Sequence, residues 1–277
     1  MFDDVELVKL KEISTLLQEY KGYNFHEYAV SSFKRRIIRA VEFFNLGNVN
    51  ALIHKIKTDK DFCELLVREI TVNTTEMFRD PSFWVTLRDT IMPEITKGTS
   101  DATIRIWHAA CSSGEEVYSM AILLTELGII DRCNIYATDL NDEVILKAIN
   151  GAYPKRNFET HDSNYIKFGG KRKLSDYYKK LNNDMIKLDP ELLKNVTFKK
   201  HDLAVEPAFS KFDLILCRNV LIYFNVSLQD KVVKLFEESL YTKSYLAVGA
   251  QESIAWCASS KHFKTVSAED KVYQKLV

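Results

Sequence analysis

The stretch from Ile104 to Ala121, I-R-I-W-H-A-A-C-S-S-G-E-E-V-Y-S-M-A, decides the fold. It opens with an apolar run rich in branched and aromatic residues, passes through small residues, and continues as an apolar-periodic segment. That order reads as a buried strand, a tight loop and a helix starting just above a sheet. Ser113 with Glu116 three positions on has the pattern of a capping box, which would start the helix there. A strand handing over to a helix N-terminus in this way is where an open α/β sheet binds its ligand, outside the carboxyl ends of its strands.

Downstream of this stretch the pattern alternates. A strand over 134–138 leads to a helix from Asn141 that Gly151 terminates. Further strands follow at 196–199, 212–217 and 245–249, with a helix at 227–240, and two strands, 262–266 and 271–276, close the chain. Such alternation specifies an α/β fold with a doubly wound, mostly parallel sheet. The closing pair suggests an antiparallel edge hairpin. Residues 151–195 are too long for an ordinary connection and read as a small inserted β-subdomain, with 176–181 and 185–188 flanking a turn at Asn182-Asn183-Asp184.

Upstream, the first ninety or so residues read as helical. Phe33, Ile37, Ala40, Val41 and Phe44 form one stripe of a helix placed over Phe25 to Phe44 and ending near Gly47. A helix at 61–70 follows. Another begins at Asp80-Pro81 and is expected to stop before Pro93. The polar break Lys97 to Asp101 divides a helical domain, 1–97, from a sheet domain, 98–277.

Composition narrows the function. Among 277 residues, 46% are apolar, so a full core is available, and Lys plus Arg equals Asp plus Glu at 38 each. A whole-chain attraction to nucleic acid or to an acidic membrane is therefore not indicated. Five cysteines, odd in number and without C-x-x-C spacing, argue for a reducing compartment and against a zinc site or disulfide framework. No secretory signal and no apolar run of the roughly 20 residues needed to span a bilayer is visible, which suggests a soluble, cytoplasmic protein.

The loop Ala110 to Glu116 holds one glycine followed by two acids. A dinucleotide loop needs several glycines to approach a pyrophosphate, so a nicotinamide-dependent dehydrogenase is disfavoured. Acids there would repel phosphate but hold an ammonium group. With Glu116 in the capping box, Glu115 is freer to meet a ligand amine; otherwise both acids only favour a helix N-terminus. Asp139, ending its strand, can accept hydrogen bonds from both hydroxyls of a ribose, or cap the next helix. Together these features point to a nucleoside bearing an amino acid, S-adenosylmethionine. Asp202 and Leu203 follow the third strand, where an adenine edge would lie. Arg218 and Asn219 interrupt an apolar segment that continues to Tyr223; a partly buried arginine there needs a partner, so a structural ion pair is the plain account. Asn73 and Glu76 read as a capping pair, with Arg79 a surface charge.

N-T-T-E-M-F-R-D (73–80), A-C-S-S-G-E-E-V-Y-S (110–119), A-T-D-L (137–140), G-A-Y-P (151–154) and C-R-N-V-L-I-Y-F (217–224) occur in this order. In these motifs the chain resembles the chemotaxis receptor methyltransferase (CheR) family from about Ala29 to its end. The resemblance implies transfer of a methyl group from S-adenosylmethionine, with S-adenosylhomocysteine as product, to glutamates on the cytoplasmic helices of chemoreceptors. It implies no metal, an N-terminal helical domain, a seven-stranded methyltransferase sheet and an inserted β-subdomain that some relatives use to dock a receptor's C-terminal peptide. By position, Asn73, Thr75, Arg79, Glu115, Asp139, Asp202, Leu203, Arg218 and Asn219 correspond to the cofactor pocket. Arg79 and Tyr223 correspond to residues flanking the methyl group and the incoming glutamate. Arg35 and Arg39, one turn apart on the polar side of their helix, read either as a surface that meets an acidic receptor coiled coil or as an ordinary solvated face. Two departures stand out: the usual G-C-S-T-G-E-E reads A-C-S-S-G-E-E, and the usual G-H-S-E reads G-A-Q-E (Gly249 to Glu252). A methyltransferase acting on another acceptor, and a silent module that senses S-adenosylmethionine, are the competing readings.

Overall fold

Apolar stripes at helical spacing make the first part of the chain a helical bundle. The structure is a computed structural model describing residues 7–71, 75–98, 103–182 and 184–276. Helices α1 (Leu7–Lys21), α2 (Val30–Phe43), α3 (Val49–Thr58) and α4 (Phe62–Ile70) bury one core that includes Leu17, Ile37, Leu52, Ile56 and Leu66. The stripe Phe33, Ile37, Ala40 and Val41 is buried as its spacing predicts. Helix α2 is shorter than expected at both ends. A turn closes over Phe25–Tyr28 and residues 27–29 bond to residues 223–225 instead of continuing the helix, and Asn45 turns the chain at φ 54° before Gly47 is reached.

The next helix starts at Asp80-Pro81 as expected but runs through Pro93. α5 (Pro81–Thr86) passes into a π-helical turn over Leu87–Ile91 and then α6 (Met92–Gly98). Proline lacks an N–H and crowds the carbonyl four residues back, so an α-helix would break there. The wider π turn just before it absorbs that defect. Phe83, Trp84, Leu87, Ile91 and Met92 bury in the same core as Ile104, Ile106 and Leu214 of the sheet. Packing therefore divides the chain between Ile70 and Met77 rather than at Lys97–Asp101. Residues 99–102 of that break, and Asn73 and Thr74, lie outside the described residues.

β1 (Ile104–Ala109), α7 (Glu115–Glu126), β2 (Cys133–Asp139) and α8 (Asp142–Asn150) follow in alternation. The insert contributes β3 (Ala152–Pro154), α9 (Phe158–Phe168), β4 (Tyr178–Lys180) and β5 (Met185–Leu188). The main sheet resumes with β6 (Val196–Lys200), β7 (Phe212–Cys217), α10 (Val226–Ser239), β8 (Leu240–Val248), β9 (Phe263–Ser267) and β10 (Val272–Lys275). Its order is β6-β2-β1-β7-β8-β10-β9, parallel from β6 to β8, with β10 and β9 antiparallel at the edge. The strand order reverses beside β1, which places a ligand crevice at its carboxyl end.

The insert is a three-stranded antiparallel sheet, β3-β5-β4, so the expected hairpin gains a third strand and a helix. Asn183 of its turn lies outside the described residues. The insert is pinned to α7: Glu126 accepts hydrogen bonds from the hydroxyls of Tyr165 and Tyr177 and from the Lys171 N–H. Tyr153 donates to the Ser113 carbonyl at 2.6 Å, joining the insert to the loop after β1. Among the described residues, no helix is long and apolar enough to cross a membrane.

Gly114 is the tightest point of that loop. It takes φ +93°, and a Cβ there would sit 2.6 Å from the Ala148 Cβ. Gly114→Ala should lower the unfolding free energy by about 2–4 kcal/mol, combining left-handed strain with overpacking. Gly128→Ala shares a positive φ but meets open space, so it should cost only about 1 kcal/mol. Equal losses in urea unfolding would refute the clash.

Candidate functional site

The loop leaving β1 folds back sharply because Ala110, Ser112 and Gly114 all take left-handed backbone angles. Left-handed residues other than glycine carry strain that the surroundings must hold. The capping box is overturned here. Gly114 is the N-cap of α7, and Ser113 instead donates its hydroxyl to Glu115 Oε2 at 2.7 Å. Glu116 turns inward, pairing with His108 Nδ1 at 2.9 Å and Arg218 Nη1 at 3.2 Å. Burial pushes the Glu116 carboxyl up, but the His108 hydrogen bond and the nearby positive charges outweigh it and hold the group below its ordinary value.

Asp139 is not a helix cap. Its Oδ2 accepts the Ser112 N–H at 2.8 Å and its Oδ1 accepts the Asn141 N–H at 3.0 Å, while Asn141 itself caps α8 through the Glu143 N–H. One carboxylate thus ties the loop after β1 to the turn after β2. Burial raises its pKa, and the backbone donors offset part of that rise. Each oxygen keeps a second lone-pair direction for a ligand hydroxyl.

A cleft of about 830 Å³, its open mouth included, lies above these strand ends. Ala110, Ser112, Asp139 and Leu140 line one side; His201, Asp202 and Leu203 line the edge beyond β6; Asn219, Val220, Tyr223 and Phe224 line the other. Phe25, Tyr28, Ser32, Phe33 and Arg36 of the helical part form the roof. Of the residues singled out in the sequence, the structure therefore brings together Asp139, Asp202, Leu203, Asn219 and Tyr223. Asp202 spends one oxygen on the Ala204 N–H at 2.8 Å, and burial raises its pKa.

Arg218, Thr75, Arg79 and Glu115 do not line the cleft. Arg218 is 8% exposed and takes the ion-pair role that was the plain account of it. Its Nη2 reaches Asp80 Oδ2 at 2.6 Å, its Nη1 reaches Glu116, and its guanidinium stands 4.0 Å over the Phe83 ring. Arg218 and the Trp84 indole also donate to the Arg79 carbonyl. This pins the segment that carries Thr75 and Arg79. The Arg79 guanidinium makes no hydrogen bond or ion pair among the described residues. Glu115 is buried behind the loop near Tyr118 and Tyr153, and burial raises its pKa to about 7. Arg35 and Arg39 are exposed on α2, with Arg39 Nε 3.7 Å from Glu69.

Two residues escaped the sequence reading. Glu252 is 4% exposed and accepts the backbone N–H groups of Gly249 at 2.5 Å, Asn219 at 2.9 Å and Ile222 at 3.2 Å. It shapes the loop in which Asn219 is left-handed, and a Cβ on Gly249 would strike Asn219 at 2.7 Å. The departure G-A-Q-E keeps the glycine and the acid that the geometry uses. The second is Arg36, whose guanidinium lies 5.7 Å over the Tyr223 ring with its Nε buried and unpartnered. Its position beside the apolar stripe, between Arg35 and Ile37, was the available signal. Burial lowers its pKa.

The cleft suits a nucleoside-bearing ligand: an acid at the end of β2, apolar walls at Leu203 and Phe224, and no glycine-rich phosphate cradle. Arg218→Met should cost about 3–5 kcal/mol at pH 7, because Asp80 and Glu116 lose their buried partner. The Glu116 stabilisation is present above the unfolded-chain pKa of about 4.3 and lost as pH falls through the lower folded value, so Glu116→Gln should flatten the acid limb. Unfolding free energies measured from pH 3 to 7 check both. A loss under 1 kcal/mol for Arg218→Met, or an unchanged limb, would overturn this account.

Comparison with known proteins gives consistent matches. Residues 9–71 match the family described as "CheR methyltransferase, all-alpha domain" and residues 73–272 match "CheR methyltransferase, SAM binding domain". A Pseudomonas putida protein carrying the name Cher3 is 38% identical over 98% of this chain and 97% of its own length. A chemotaxis protein methyltransferase of Borreliella burgdorferi is 35% identical over 89% and 88%, and one of Listeria innocua is 30% identical over 84% and 85%.

Proposed function

The chain belongs to the CheR methyltransferase family, and from that membership we propose that it uses S-adenosylmethionine to form methyl esters on glutamate side chains of chemoreceptors during chemotaxis adaptation. The observation that carries this reading is the cleft itself. Its lining includes a ribose-competent acid, Asp139, together with Tyr223 and, from the helical roof, Arg36, whose guanidinium lies over the Tyr223 ring.

When bound, the cofactor supplies an electrophilic methyl group on a positively charged sulfur. The acceptor needs no activation, since a glutamate with an ordinary pKa of about 4.3 is already a carboxylate at neutral pH. The protein's task is therefore to hold the carboxylate in line and to exclude water. Tyr223 offers a hydroxyl donor at the cleft, and Arg36 beside it supplies positive charge that is incompletely solvated. Arg79, free of other partners among the described residues, is available as a further donor. Asp139 grips the ribose and Asp202 with Leu203 meets the adenine. Asn73 and Thr75 complete the pocket by position in the family motif. Arg35 and Arg39 face outward on the same helix as Arg36 and would meet the acidic surface of a receptor coiled coil. The basic, aromatic insert is the place for a receptor's C-terminal peptide, and the cytoplasm is the compartment in which all of this occurs.

By its position in the family motif Glu115 is assigned to the cofactor's amine, although it lies behind the loop and not on the cleft wall. Because burial raises its pKa to about 7, the ionised form that holds an ammonium is the minority below that pH. Affinity for S-adenosylhomocysteine, measured by calorimetry, should therefore tighten on the order of tenfold between pH 6 and 8, and Glu115→Gln should remove the dependence. A flat profile in the wild-type protein would exclude Glu115 from that role. Tyr223→Phe should slow receptor methylation roughly 10- to 100-fold with cofactor affinity unchanged, as expected for a group acting on the acceptor; an equal loss in both would reassign it.

A further inference from the structure

The two domains meet through backbone. The Ala29 N–H donates to the Tyr223 carbonyl at 2.9 Å, and the Asn225 N–H donates to the Glu27 carbonyl at 2.8 Å. Tyr28 between them forms a bridge with Phe224. Its ring lies edge-on to Phe224 with centroids 5.3 Å apart and packs on Phe25 at 4.7 Å. These contacts fix the side chain in the roof of the cleft that Asp139 and Asp202 also line. The hydroxyl makes no hydrogen bond among the described residues and is not sealed from the cleft. The charges of those two carboxylates act on it, and together with burial they raise its pKa. A half-buried phenol that has no hydrogen-bond partner among the described residues, and that lines the same cleft as Asp139 and Asp202, has no structural task there. Its packing needs only the ring.

We propose that Tyr28 is a cofactor-binding residue supplied by the helical domain, its ring walling the nucleoside and its hydroxyl donating a hydrogen bond at the nucleoside's edge. The inference rests on the reading of the cleft as an S-adenosylmethionine site and goes beyond it. The helical domain then does more than recognise a receptor: it completes the cofactor site. Because Tyr28 is carried on the bonds that join the domains, cofactor occupancy and docking of the helical domain are coupled, and the coupling is reciprocal.

Calorimetry on the full chain tests this with two probes, S-adenosylhomocysteine and 5′-methylthioadenosine, which keeps the nucleoside but lacks the amino-acid end. Tyr28→Ala should weaken both about tenfold or more, the size of a lost aromatic–base stack. Tyr28→Phe keeps the ring and the bridge; it should weaken both about threefold or more through the lost hydroxyl, with an unchanged unfolding midpoint for the free protein. In the wild-type chain, S-adenosylhomocysteine should slow hydrogen exchange at the Ala29 and Asn225 amides. Unchanged affinities in the variants, loss for S-adenosylhomocysteine alone, or unaltered exchange would overturn the proposal. Failure of the wild-type chain to bind S-adenosylhomocysteine would instead overturn the assignment of the cleft.

Discussion

The buried guanidinium of Arg218, held between Asp80 and Glu116 and over Phe83, is the contact on which the site's shape depends. It joins three pieces far apart in sequence: the segment entering α5, the first turn of α7 and the loop after β7. A buried ion pair seldom adds net stability, since desolvation offsets most of the attraction. Its value here is positional. With both acids committed to one cation and His108 closing the other side of Glu116, the three loops have one arrangement in which all charges are met. Asp80 and Phe78 hold left-handed backbone angles in that arrangement, strain the network maintains.

Two further carboxylates do the same work with backbone donors in place of a cation. Asp139 spans the loops after β1 and β2, and Glu252 spans those after β7 and β8. Each gathers N–H groups that tight, left-handed loops leave without strand or helix partners, which a buried backbone cannot tolerate unpaired. The floor of the cleft is therefore held together by hydrogen bonds within the chain itself. A preformed site spends little of the binding energy on ordering the protein, which suits a reaction whose catalysis is positioning.

The roof is built differently. Phe25, Tyr28, Phe33 and Arg36 reach the cleft from a bundle with its own core, and the join includes the short bridge at residues 27–29 and 223–225 and the Arg68–Glu143 ion pair. The cleft thus lies at a seam between two cores. The insert is anchored at the other end of α7 by Glu126.

The doubly wound sheet, the helical N-terminal region, the insert and the acid at the end of β2 were legible in the sequence because they rest on local signals: alternating apolar runs, helical stripes, and Gly151 ending α8. The motifs at 73–80, 110–119 and 217–224 marked the family for the same reason. What local signals cannot carry is which side chain a buried charge will choose. Glu116 looks like a capping residue until Arg218, 102 positions away, is brought beside it; Glu252 looks like a loop acid until the left-handed turn at Asn219 offers it N–H groups. Pro93 looks like a helix end until a π turn and the sheet core together make the helix worth continuing. Arg36 is one of three similar arginines until the bridge at Tyr28 turns its face of α2 toward Tyr223. In each case the deciding partner is distant in sequence, and the low dielectric of the interior, which penalises an unpaired charge, selects it only once the chain has folded.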